Sequence, residues 1–179
     1  MKIVSLSGVF FFIVLLAQQA MADDANVEYK VKAGYLYNFT KFITWPEDNS
    51  ETFNLCIVGE DPFGGLIDPI EQRTAFGRPI KLFRFNSLNK EQSCHILFIS
   101  TSVKDNVLLE SMLAIQKTNK SLTVGESKEF AAQGGMIGFV NRQGNIKLQI
   151  NLKMLQQSDL KISAKLLEVA ELVGEESND

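Results

Sequence analysis

The run Cys94-His95-Ile96-Leu97-Phe98-Ile99 sets apolar side chains at successive positions. A strand wetted on one face alternates polar and apolar residues, whereas one covered on both faces does not. This run therefore predicts a central strand between helical layers. Upstream, residues 53–58 are mostly apolar and stop at Gly59, and residues 80–85 alternate imperfectly as another strand. Downstream, residues 103–116 carry Val107, Leu108, Met112 and Ile115 at helical spacing, and residues 121–124 form a brief strand before Gly125. Residues 136–140 and 145–150 then flank the turn-forming segment Asn141-Arg142-Gln143-Gly144. In the second arm Ile146, Leu148 and Ile150 alternate with Lys147 and Gln149, which predicts a β-hairpin.

The remaining segments read as helices. Val27, Val31, Tyr35, Phe39 and Phe42 recur every three or four residues, one face of an amphipathic helix over 27–45 that Pro46 stops. Residues 63–72 and 152–157 suit short helices. Ser163 can cap a last helix bearing Leu166, Leu167, Ala170 and Val173. Strands alternating with helices, then a hairpin, predict an α/β fold: a single domain with an open mixed β-sheet, helices on both faces and a C-terminal β-hairpin.

Composition agrees and excludes several classes. The 179 residues are 45% hydrophobic and 22% charged with a formal charge of -3, which rules out collagen-like and disordered chains and lacks the basic excess of a nucleic-acid binder. The N-terminus stands apart. Lys2, the apolar run from Ile3 to Leu16 and the small residues of Ala20-Met21-Ala22 are the three parts of a secretory signal peptide over 1–22, with the domain over 23–179. The alternative is an uncleaved anchor, but the run is short for a membrane span. No cysteine follows Ala22 to carry a lipid.

Export bears on Cys56 and Cys94, the two cysteines present. An even count in an oxidising compartment favours a disulfide over a metal pair, the alternative being two buried thiols that never meet. The chemistry otherwise looks sparse. The segment from Gly59 to Gly65 has the first two glycines of a phosphate loop, but Gly65 and Leu66 stand where lysine and Ser/Thr belong and Glu60 and Asp61 would repel phosphate. A tight turn with Phe63 packed inward is the better reading. His95, the single histidine, adjoins Cys94 and suits a structural hydrogen bond. No nucleophile elbow and no zinc spacing occurs, so neither a catalytic constellation, a metal nor a cofactor is expected. In the first helix Tyr37 and Trp45 fall off the apolar stripe. With Asn38 and Lys41 they form a candidate pocket or interface rim.

The ordered motifs carry a resemblance. Val31-Lys32-Ala33-Gly34-Tyr35-Leu36-Tyr37-Asn38-Phe39-Thr40-Lys41-Phe42-Ile43-Thr44-Trp45-Pro46 resembles the opening helix of the YfiR/HmsC-like periplasmic family. Cys56 to Gly64, Cys94 to Ser100, Leu122 to Gly125, Gly134 to Ile137, Ile150-Asn151 and Leu160 to Leu167 continue the likeness in order.

This resemblance implies a non-enzymatic periplasmic regulator. It would bind the periplasmic sensor domain of an inner-membrane diguanylate cyclase, hold down cyclic di-GMP synthesis and so affect biofilm formation. An OmpA-like outer-membrane lipoprotein would sequester it. It also implies a homodimer and a disulfide where Cys56 and Cys94 stand; a second bridge found in some members has no cysteines here. For the partner contact, Phe139, Ile146 and Leu148 of the hairpin are the candidates, with core packing as the alternative. Two other classes stay open: a small-ligand sensor using a pocket near the first helix, and an exported enzyme relying on His95 or Asp61.

Overall fold

The computed structural model describes residues 26–87, 92–118 and 120–174, the side chains of 115–118 excepted; the expected signal peptide and the side chain of Ile115 lie outside them. Helix α1 spans 26–42. It stops earlier than the apolar period suggests, because the β-branched pair Ile43-Thr44 forms a short strand, β1 (Ile43–Thr44), against β9 (Lys161–Ile162).

Strands β2 (Phe53–Val58), β4 (Arg78–Phe85), β5 (Ile96–Ile99), β6 (Leu122–Gly125) and β7 (Ile137–Arg142) run parallel in the spatial order β4-β2-β5-β6-β7. β8 (Asn145–Asn151) pairs antiparallel with β7 across the two-residue turn Gln143-Gly144, where both residues have positive φ (54° and 81°) as a type I′ turn requires. The short β3 (Thr74–Ala75) pairs antiparallel with β4 and closes one edge. β10 (Glu171–Val173) adds parallel to β8 and closes the other. The expected mixed sheet and hairpin are present.

Alternation along the central strands supplies two cores. Leu55, Ile57, Ile96 and Phe98 face one layer with Leu36 and Phe39 of α1. Cys56, Val58, Leu97 and Ile99 face the other with Leu109, Met112 and Leu113 of α2 (Asn106–Thr118). Met112 is buried as expected, but Val107 is 73% exposed and Leu108 is also exposed, so the buried face turns to Leu109 and Leu113 instead. Asp105 Oδ1 accepts from the amides of Val107 and Leu108 and starts the helix.

Two further expectations are corrected. Residues 63–72 form two 3-10 turns, Gly64–Leu66 and Asp68–Gln72, with Pro69 opening the second. The last helix ends after one turn, α4 (Ala164–Leu167), and the chain then becomes β10. Pairing the otherwise free backbone edge of β8 outweighs a period-3.6 pattern only a few residues long. Glu171 anchors that strand by accepting from Arg142 (2.9 Å) and Gln149 (3.2 Å). α3 (Leu152–Gln156), capped by Asn151, lies where it was expected.

Candidate functional site

In open α/β sheets ligands sit beyond the carboxyl ends of the strands where strand order reverses, here between β2 and β5. This chain fills that crevice with its own contacts. Ser102 Oγ accepts from the Glu60 amide (2.8 Å), Asp61 accepts from the Phe63 amide (2.8 Å), and Arg84 Nε lies 2.6 Å from Asp61. Phe63 points inward, edge-on to Phe98. The segment from Gly59 to Gly65 is a packed turn.

One strand along, helix α1 crosses the carboxyl end of β6. Lys32 Nζ lies 2.6 Å from Glu126 Oε2 and 2.5 Å from Glu28, and the Lys32 and Glu126 side chains are buried. Burial alone would lower the Lys32 ammonium, but its hydrogen bonds to Glu126 and Glu28 outweigh it and hold the group above its ordinary value. Lys32, Leu36, Phe39 and Ile43 form the inward stripe, at spacings of four, three and four. Val27 and Val31, expected inside, are 58% and 42% exposed. The stripe was hidden in the sequence because one of its members is a lysine.

At the other end of the strands Cys56 and Cys94 are bridged, Cα to Cα 5.8 Å, on the α2 face. Beside them His95 stacks on Phe53 (4.5 Å). Its Nδ1 accepts from the Asn54 amide (2.9 Å), so the ring proton sits on Nε2 and is donated to Asp48 Oδ2 (2.7 Å). Burial holds His95 below its ordinary pKa, only partly opposed by Asp48. Asp48 is itself held low: burial acts against this, but bonds from the Ser50 amide, His95 and Arg78 prevail. With both ring nitrogens engaged, His95 ties Asp48 and the β2 backbone together.

The expected site residues divide among separate places. Tyr37 has Lys41 over its ring at 4.5 Å and Arg73 at 5.7 Å, and it lines a recess beside the 3-10 turns. Trp45 is buried, donates to the His95 carbonyl (2.9 Å) and borders a different groove with Phe76 and Arg78. Asn38 is half-buried on α1. Phe139 and Leu148 are buried core residues, Phe139 stacking on Phe39, so the exposed apolar surface sought there does not come from them. Ile146 is half-buried in a groove with Val27, Val31 and Tyr35. The valines were legible as apolar helix positions; their exposure was not. Among the described residues no His/Cys/Asp/Glu group is placed to hold a metal, and no helix is long and apolar enough to cross a membrane.

The model of the YfiR/HmsC-like family matches residues 29–171, from α1 to β10. The chain belongs to that family. YfiR/HmsC-like proteins are in general periplasmic regulators of diguanylate cyclases, and the buried bridge suits that compartment. No curated protein matches at a significant level. Among solved structures, one described as the ABC domain in complex with L-Trp from Streptococcus pneumonia is similar at a TM-score of 0.51 and 10% identity. The similarity covers 76% of the YfiR/HmsC-like chain and 59% of the other; at that identity it is a likeness of fold alone.

Proposed function

We propose that this protein is an exported periplasmic repressor that binds the sensor domain of an inner-membrane diguanylate cyclase and lowers cyclic di-GMP synthesis, restraining biofilm formation. The observation that carries the reading is the family match over 29–171, which takes in α1, both core layers and the hairpin. The reading includes export through the 1–22 signal, a homodimeric state, and an OmpA-like outer-membrane lipoprotein as the partner that withdraws the repressor.

The physical requirement is a difference in affinity. A repressor shifts the cyclase only by binding its inactive state more tightly, and each ~1.4 kcal/mol of difference changes the ratio tenfold. Burial of apolar surface is one source of such a difference. The groove between α1 and the hairpin tip, with Val27 and Val31 exposed beside Tyr35 and Ile146, supplies it.

The test is capture from detergent-solubilised membranes with tagged, oxidised protein, followed by mass spectrometry. Recovery of a membrane cyclase with a periplasmic domain is expected, and cyclic di-GMP should rise when the gene is deleted. Folded bait that captures no cyclase, together with unchanged cyclic di-GMP, would overturn the reading.

A further inference from the structure

The face of α1 away from that groove carries Lys30, Ala33, Gly34, Tyr37 and Lys41 at helical spacing, opposite the two 3-10 turns. Between them lies a recess of about 170 Å3 floored by Ile67 and Ile70 and walled by Leu66, Pro69 and Tyr37. Lys30 and Arg73 stand on its rim, and Lys41 and Arg73 both lie over the Tyr37 ring. The three cations form no ion pair with any described residue. The nearby acids are engaged elsewhere: Asp68 lies 2.7 Å from Arg84, and Glu71 accepts from the Leu82 amide (3.0 Å). On a chain of net charge -3, this is a recess whose rim cations, Lys30 and Arg73, are held by no ion pair among the described residues.

Gly34 adds an independent observation. Glycine in mid-helix weakens the helix relative to alanine, and it is normally kept for a positive φ or a close neighbour. Gly34 has neither: a Cβ built there meets nothing within 4 Å. Gly34 is exposed and borders the recess, so a larger side chain there would narrow its mouth.

We infer that this recess binds a small amphipathic carboxylate, its anionic end between Arg73 and Lys30 and its apolar body on Ile67, Ile70 and the Tyr37 ring. The short apolar floor decides the size class: Ile67, Ile70 and the Tyr37 ring can cover a short aliphatic or single-ring acid. The charge decides the sign, since an amine would meet Lys30 and Arg73 on the rim.

The test uses purified protein with phenylacetate and hexanoate at matched ionic strength, and phenylacetamide and hexanamide as neutral controls. A saturable rise in melting temperature below ~10 mM is expected with the carboxylates and not with the amides. Gly34→Leu should narrow the mouth of the recess, melt at least as high as the parent without ligand, and abolish the shift. Arg73→Gln, at an exposed position, should weaken binding about tenfold or more, the scale of one charge-assisted contact. No saturable shift, an equal shift with the amides, or undiminished binding by Gly34→Leu would each overturn the inference. No cyclase is present in the experiment, so its failure leaves the repressor reading standing, and the reverse holds too.

Discussion

Lys32 Nζ sits 2.6 Å from Glu126 Oε2, with the two side chains 5% and 4% exposed, so one buried ion pair fastens the first helix to the carboxyl end of β6. Removing one partner strands the other charge in the interior, which costs about 3–5 kcal/mol. Lys32→Met should lose that much in urea unfolding. The double variant Lys32→Met/Glu126→Gln should recover most of it, because no unpaired charge remains at Glu126. A double variant no more stable than the single one would mean that the pair does not carry the effect.

Acid should weaken the fold through His95. Its folded pKa lies below the ordinary value of about 6.5, so on acidification the unfolded chain takes up this proton first. Stability from this group is therefore complete above about pH 6.5 and falls as pH drops from there towards the folded pKa. Protonation must also break the Asn54 amide bond to Nδ1. Melting curves of His95→Gln should lack this component between pH 7 and 5; an unchanged pH slope would contradict the assignment.

The Cys56–Cys94 bridge closes a separation of 38 residues, and the chain-entropy model gives it up to about 4 kcal/mol. Both cysteines are buried. Reductant alone should leave the native protein oxidised, as read by thiol labelling, while reductant with denaturant opens the bridge. Cys56→Ser/Cys94→Ser should melt well below the parent.

Gly135 and Gly125 clamp the buried Phe130 ring: a Cβ on either would fall inside van der Waals contact with it. The ring packs against the α2 layer and has little room to yield. Gly135→Ala should destabilise by about 1–3 kcal/mol in chemical denaturation. Adding Phe130→Leu should give part of that back, and an additive loss would show that the ring is not the obstacle.

Val31→Asp probes the proposed partner surface. The residue is 42% exposed, so stability should change by no more than about 0.5 kcal/mol. Capture of the cyclase should fall sharply, since a carboxylate would be buried without a partner. Normal capture by the folded variant would move the interface elsewhere.

Much of the fold was legible along the chain. The continuous apolar run at Cys94 to Ile99 marked a strand covered on both faces, and the turn-forming segment Asn141-Arg142-Gln143-Gly144 before an alternating arm marked the hairpin. Where reading failed, a distant partner prevailed over a local pattern. Residues 171–173 became a strand because the edge of β8 was free, and Ile43-Thr44 left the helix to pair with β9. The inward stripe of α1 was missed at Lys32, whose burial depends on Glu126, 94 residues away.

Sequence by itself pointed to the class of fold and the family and favoured a Cys56–Cys94 bridge, because periodicity, cysteine count and ordered motifs are written locally along the chain. Only the tertiary structure decided which faces meet solvent. It buried Phe139 and Leu148, exposed Val27 and Val31, and sent Tyr37 and Trp45 to different recesses. Exposure depends on what packs against a side chain, and those neighbours come from residues far off in sequence, brought near only when the sheet closes.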